Sequence, residues 1–215
     1  MDLNSFIDHT LLKANTTSGD IKKLCEEAIN HDFYAVCVNS CNTAIAKQYL
    51  KDSSVKLAVT IGFPLGAVSK TSKIEETRQA ILDGADELDM VINIGFLKDA
   101  KQAEVEEEIA LIKKAAGSKL LKVIIETCYL SEEEIRIACK LALKAGADFV
   151  KTSTGFGSRG ASTEDIRIMK EVVGDKMKIK ASGGIRDAKT ALEYIDLGVD
   201  RIGTSSGIKI VTDNP

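Results

Sequence analysis

The sequence predicts a protein of the α/β class, a closed (β/α)8 TIM barrel in which eight parallel strands alternate with helices. Three observations carry this expectation. Short β-branched apolar runs alternate with stretches of helical spacing along the whole chain, the pattern of repeated strand–helix units. A tripeptide recurs between a helix and the next strand, as Gly84-Ala85-Asp86, Gly146-Ala147-Asp148 and Gly198-Val199-Asp200, at separations of 62 and 52 residues. If each separation spans two units, a unit is roughly 26 to 31 residues long. Finally, 215 residues with 2 prolines and no Pro- or Ser-rich linker suit residues 1–215 as one domain at the short end of the barrel size range. An open doubly wound sheet is the alternative assembly of the same units.

The elements follow in order. Residues 6–12 form the first strand candidate. Residues 17–29 are helical, since Ile21, Leu24, Cys25 and Ala28 recur at helical spacing and Thr17 or Ser18 can cap the start. The β-branched run 34–38 is a strand, followed by a helix through Ala44, Ile45 and Tyr49. Residues 56–61, 87–92 and 121–126 are strands, and 72–82 and 105–115 are the helices between them. Ser131 with Glu134 three residues on marks a capping box opening the next helix. The strand around Lys151 leads to a helix over 162–173, the strand around Lys180 to a helix over 187–197, and residues 201–205 are the last strand. In each tripeptide the glycine takes the left-handed position just past a helix end.

Composition narrows the function. The net charge of −3 without a basic block argues against nucleic acid as a partner. No apolar run approaches the roughly 20 residues of a membrane span. Met1-Asp2-Leu3-Asn4 lacks the charged-then-apolar pattern of a secretion signal, so the cytoplasm is the expected compartment. Of the 5 cysteines, Cys37 and Cys41 are four apart and Cys128 and Cys139 eleven apart. Neither spacing suits zinc, so packed thiols are expected and no metal.

Strand alternation picks out the inward face. With Leu88, Met90 and Ile92 against the helices, Glu87, Asp89 and Asn93 point inward. By the same test Lys122 and Glu126, Lys151 and Ser153, and Lys178, Lys180 and Ser182 point inward. Lysine is almost never buried without a partner, and polar groups near strand C-termini are where barrel enzymes do chemistry. Two lysines on adjacent strands suggest that one loses its proton. A free lysine titrates near 10.4, and lowering that to about 7 costs roughly 4 kcal/mol. A second ammonium about 6 Å away supplies roughly 2.8 kcal/mol at an effective dielectric of 20, and desolvation supplies the rest. The neutral amine can attack a carbonyl, and the resulting iminium is an electron sink. Asp89 is an acid that could move the protons. Spacing alone does not say which lysine attacks.

Two loops on the same rim, Ser182-Gly183-Gly184-Ile185-Arg186 and Gly203-Thr204-Ser205-Ser206-Gly207, follow the seventh and eighth strands. Backbone N–H groups in such loops suit a phosphate.

Taken together, Ile7-Asp8-His9-Thr10-Leu11-Leu12, Glu87-Leu88-Asp89-Met90-Val91-Ile92-Asn93-Ile94-Gly95, Leu121-Lys122-Val123-Ile124-Ile125-Glu126-Thr127, Phe149-Val150-Lys151-Thr152-Ser153-Thr154-Gly155-Phe156, Ile179-Lys180-Ala181-Ser182-Gly183-Gly184-Ile185-Arg186 and Arg201-Ile202-Gly203-Thr204-Ser205-Ser206 resemble the deoxyribose-phosphate aldolases over nearly the whole chain. The resemblance implies a Schiff-base aldolase without metal or cofactor. Its reaction is the reversible cleavage of 2-deoxy-D-ribose 5-phosphate to D-glyceraldehyde 3-phosphate and acetaldehyde. It assigns the Schiff base to Lys151, the lowering of its pKa to Lys180, and proton transfer to Asp89. It places Asp8 and Thr10 near the substrate hydroxyls, and Gly183, Gly184, Ser205 and Ser206 on the phosphate. Lys122, Thr154 and Gly203 are further substrate-site candidates in the matched motifs. Cys37, inward by parity, is a candidate contact for an unsaturated aldehyde. A dimer or larger homo-oligomer is also implied. Some members end in a tyrosine that assists proton transfer, whereas the tail Val211-Thr212-Asp213-Asn214-Pro215 carries none. A barrel that only binds sugar phosphates, and a Schiff-base enzyme or isomerase of another kind, are the competing functions.

Overall fold

The apolar runs pair edge to edge in chain order, each parallel to the next, and the eighth returns to the first. This is the geometry of a computed structural model describing residues 3–213. The strands are β1 (Ile7–Leu11), β2 (Ala35–Asn39), β3 (Lys56–Ile61), β4 (Glu87–Val91), β5 (Leu120–Ile124), β6 (Phe149–Lys151), β7 (Lys178–Ser182) and β8 (Arg201–Thr204). The helices are α1 (Ser18–Asn30), α2 (Thr43–Tyr49), α3 (Lys70–Leu82), α4 (Ile94–Lys98), α5 (Gln102–Ala116), α6 (Glu132–Lys144), α7 (Thr163–Val173), α8 (Ala188–Asp196) and α9 (Gly207–Thr212). The closed barrel is the predicted fold, and the doubly wound alternative is excluded. No helix among the described residues is long and apolar enough to cross a membrane. Asn214 and Pro215 of the tail lie outside the described residues.

Side-chain oxygens start α1, α3, α4, α6, α7 and α8. Thr17 and Ser131 close capping boxes with Asp20 and Glu134, while Ser69, Ser162 and Asp187 accept single backbone N–H bonds. Each such cap stabilises its helix by about 1 kcal/mol. Ser69 starts α3 two residues earlier than the spacing predicts. The short helix α4 was not expected. Its five residues show no periodicity, and it exists because the Asn93 side chain accepts from Phe96 N at 3.0 Å.

The recurring tripeptide has a physical cause. Gly84, Gly146 and Gly198 have φ of 105°, 80° and 95°, which a side chain would strain. The aspartate that follows accepts a backbone N–H from the start of the preceding strand. Asp86 takes Leu57 N at 3.0 Å, Asp148 takes Leu121 N at 2.7 Å and Asp200 takes Ile179 N at 2.9 Å. The device serves β3, β5 and β7, which explains its period of two units.

One parity of each strand packs on the helices, with Val36, Leu88, Val123, Val150, Ile179 and Ile202 fully or almost fully buried. The other parity fills the barrel, where β1, β4, β5, β6, β7 and β8 bring charged side chains and β2 and β3 bring Cys37, Ala58 and Thr60. Strand register sets Lys151 beside Lys180, Lys180 beside Arg201, and Asp89 beside Lys122.

Candidate active site

Register brings four bases and three acids together inside the barrel among the described residues. Lys151 Nζ and Lys180 Nζ each donate to the same oxygen, Asp89 Oδ2, at 2.7 Å. Lys122 Nζ takes the other oxygen, Asp89 Oδ1, at 2.7 Å, and Glu87 Oε2 at 2.6 Å. Lys180 also pairs with Asp8 Oδ2, and Arg201 Nη1 holds Asp8 Oδ1 at 2.6 Å. Arg201 Nη2 reaches Glu87 Oε1 at 3.3 Å, and its guanidinium lies 3.4 Å from the Tyr34 ring centre. Thr152 extends the β6–β7 pairing past Lys151, since its hydroxyl accepts from Ser182 N at 3.1 Å and donates to Ser182 O at 3.2 Å.

The cluster splits its lysines. Burial drives the Lys151 amine below the ordinary lysine range, Asp89 pulls it back up, and the Lys180 charge pushes it down again. Burial acts on Lys180 too, but Asp8 and Asp89 outweigh it and leave that amine above the ordinary range. Burial lowers Lys122 as well, and the Lys180 charge adds to that, but Asp89, Glu87 and Asp8 together leave it above the ordinary range. Burial would raise Asp89, yet Lys122, Lys151 and Lys180 hold it well below the carboxylate range. Burial opposes the same effect at Asp8, which Lys180, Arg201 and Lys122 bring to about 2. Desolvation therefore leads at Lys151 and the neighbouring ammonium follows, the reverse of the order expected from charge spacing alone.

Not every inward candidate joins the cluster. Asn93 lies past the end of β4 and caps α4. Glu126 has a left-handed backbone, φ 52°, which ends the alternation of β5. Its carboxylate is turned to Thr154, accepting from the backbone N at 3.2 Å and from the hydroxyl. Lys178 is exposed at the opposite end of the barrel. Thr10 is half-buried at the end of β1 and donates to Asp8 O at 2.8 Å. Cys37 is sealed beside the cluster with Sγ 3.9 Å from Asp89 Oδ2, and burial pushes its thiol up. Cys37 packs with Leu12, Ala58 and Phe63 into an apolar wall.

At the rim, Gly183 and Gly184 have φ of 82° and 78°. Gly184 is exposed with open space where a Cβ would stand, whereas a Cβ on Gly183 would sit 2.9 Å from Gly160 Cα. Ser205 is exposed and Ser206 half-buried. Gly203 lies inside β8, where a Cβ would meet Lys180 Cε at 3.0 Å. Its lack of a side chain leaves room for the lysine stem.

A family model described as DeoC/LacD family aldolase matches residues 4–212. The chain belongs to this aldolase family. The deoxyribose-phosphate aldolase of Finegoldia magna is 57% identical over 98% of this chain and 99% of its own length. Among solved structures, the aldolase QR15 superposes with a TM-score of 0.96 at 42% identity, covering 99% of this chain and 96% of that one. A tetrameric deoxyribose phosphate aldolase from Aeropyrum pernix does so with a TM-score of 0.89 at 32% identity, covering 98% and 90%.

The aldolase barrel also holds residues that sequence reasoning missed. In the sequence Arg201 marks only the start of a strand, because its partners lie on β1 and β4, far away in the chain. Lys73 on α3 is fully buried, and its Nζ donates to Val91 O at 2.8 Å and pairs with Glu108 at 2.9 Å. That pair, with Glu108 also accepting from Asn93 N at 3.1 Å, fixes the end of the strand that carries Asp89. A lysine on a polar helix reads as exposed, and its burial needs both these partners and the bare backbone of Gly62, whose Cβ would lie 2.8 Å from Lys73 Cε.

Proposed function

We propose that this chain cleaves 2-deoxy-D-ribose 5-phosphate reversibly to D-glyceraldehyde 3-phosphate and acetaldehyde, with Lys151 as the Schiff-base lysine. The observation that carries it is the pair of amines on Asp89 Oδ2, one lowered and one raised. The neutral Lys151 amine adds to the aldehyde carbon of the open-chain sugar. Loss of water gives a protonated imine. Removal of the proton from the C3 hydroxyl then breaks the C2–C3 bond, and its electron pair flows into the iminium as an enamine. C3 leaves as the aldehyde of glyceraldehyde 3-phosphate. Protonation of the enamine at C2 and hydrolysis release acetaldehyde and restore the amine. Asp89, in contact with both amines, passes protons to and from the adduct, and Lys180 keeps the positive charge that favours a neutral neighbour.

Asp8 and Thr10 face the sugar hydroxyls, and the loops of Gly183, Gly184, Ser205 and Ser206 take the phosphate. Lys122 acts by holding Asp89, Gly203 by making room for Lys180, and Thr154 by orienting the β6 loop. Cys37 belongs to the apolar wall on which the two-carbon fragment rests. Residues 1–215 form one domain, acting in the cytoplasm as a homo-oligomer. The tetrameric relative supports that assembly, and light scattering tests it. The activity is tested by incubating the protein with 2-deoxyribose 5-phosphate and measuring acetaldehyde and triose phosphate. Equal release of both is expected. A sugar-phosphate binder would release neither, and an isomerase would convert the sugar without losing two carbons.

A further inference from the structure

The buried cluster has an odd charge count. Among the described residues its bases are Lys122, Lys151, Lys180 and Arg201 and its acids Asp8, Glu87 and Asp89, and none is more than 4% exposed. The remaining strands add no buried charge, since Lys56 at the start of β3 and Lys178 at the start of β7 are exposed to solvent. β2 brings Cys37, whose buried thiol keeps its proton, and β3 brings Thr60. Glu126, past the end of β5, is committed to Thr154. With every group ionised the cluster carries one surplus positive charge, which a low-dielectric interior disfavours strongly. Releasing one proton from a base removes it.

Contacts decide which base gives up its proton. Arginine does not deprotonate in proteins. Lys180 touches two carboxylates, Asp8 and Asp89. Lys122 touches Glu87 and Asp89, with Asp8 at 3.9 Å. Lys151 touches Asp89 alone, through an oxygen it shares with Lys180. Arg201 and Glu87 are the first residues of β8 and β4, at the end of the barrel opposite the Gly183–Gly184 and Ser205–Ser206 loops. Between Arg201 and Lys151 stand Asp8, Lys180 and Asp89, so substrate entering at those loops does not reach it.

We propose that Arg201 and Glu87 are positioning residues that set the protonation of Lys151 from the end of the barrel where the strands begin, through the charge balance of the seven-group cluster. The proposal rests on Lys151 as the nucleophile. It gives opposite signs to two remote substitutions. Glu87→Gln removes a negative charge, so Lys151 stays neutral to lower pH. Arg201→Met removes a positive charge, so Lys151 keeps its proton to higher pH. Arg201→Lys retains the charge and loses only the forked geometry.

The experiment measures the acidic limb of kcat/KM against pH, which reports groups of the free enzyme. It also measures the pH dependence of borohydride trapping of acetaldehyde on Lys151, with folding of each variant checked by circular dichroism. The limb is expected to move down by about one pH unit in Glu87→Gln and up by about one in Arg201→Met. It should stay near the parent's in Arg201→Lys and return toward it in the double variant Glu87→Gln/Arg201→Met. Shifts of one sign in both single variants, or none, overturn the proposal. If Arg201→Met does not fold, Glu87→Gln decides it alone, and an unmoved limb there is sufficient to reject it. Absence of trapping on Lys151 in the parent would instead reject the assignment of the nucleophile.

Discussion

Lys151 and Lys180 meet at a single oxygen, Asp89 Oδ2, each 2.7 Å from it. The two amines are therefore at most twice that distance apart. Two ammonium ions so close in a dry interior repel strongly, and one carboxylate oxygen does not compensate both. Lys180 has a second acid, Asp8, and Lys151 does not. The asymmetry favours the cation at Lys180 and the neutral amine at Lys151, which the proposed nucleophile requires.

Replacing Lys180 by Met removes that cation. The Lys151 amine should return toward the ordinary lysine range, so activity near neutral pH falls at least tenfold and recovers partly as pH is raised. A pH–rate profile checks this, and an unchanged profile would contradict the role given to Lys180.

Asp89→Asn leaves Lys122, Lys151 and Lys180 without their common carboxylate. Unpairing buried charge costs about 3–5 kcal/mol, so the urea midpoint should drop clearly. Turnover should fall by about two to four orders of magnitude with the loss of proton transfer, even at pH values where Lys151 is neutral.

Acid should weaken the fold in a defined window. Asp8 sits at about 2 in the folded chain against an ordinary 3.8. A lowered carboxylate stabilises the fold fully above its unfolded pKa, and that contribution is lost as pH falls through the folded one. Between about pH 4 and pH 2 the parent should lose roughly 2 kcal/mol through Asp8, and Asp89, also lowered, adds loss in the same direction. Urea unfolding across this range should show a shallower decline for Asp8→Asn.

Gly203→Ala separates phosphate contact from lysine placement. The new methyl would stand 3.0 Å from Lys180 Cε and 3.0 Å from Ser182 Cβ, so the lysine stem must shift by a few tenths of an ångström. Stability should fall by about 1–3 kcal/mol and kcat by about tenfold, with inorganic phosphate inhibiting as it does the parent. Weaker inhibition by phosphate with an unchanged kcat would place Gly203 in the phosphate site instead.

Most of this barrel was legible because alternation along a strand is a hard constraint. Leu88 and Met90 against the helices oblige Asp89 to point inward, and the same holds for Lys122, Lys151 and Lys180. The inference failed where strands stop. Asn93 follows the end of β4, and the left-handed backbone of Glu126 turns its carboxylate to Thr154. Charge balance was less legible. Two lysines stand out in apolar runs, but Arg201 opens a strand, where a basic residue is ordinary, and its partners Asp8 and Glu87 are distant in the chain. Lys73 was hidden for a related reason, since its partners Val91 and Glu108 and the glycine that makes room for it, just past β3, lie elsewhere in the chain.

The most direct test of the account is borohydride reduction in the presence of acetaldehyde, followed by peptide mass mapping. Reduction should leave an ethyl group on Lys151, with none on Lys180 or Lys122, and Lys151→Met should take up no label while remaining folded. An ethyl group on Lys180, or a parent protein that is not modified at all, would contradict the assignment of Lys151 as the neutral amine.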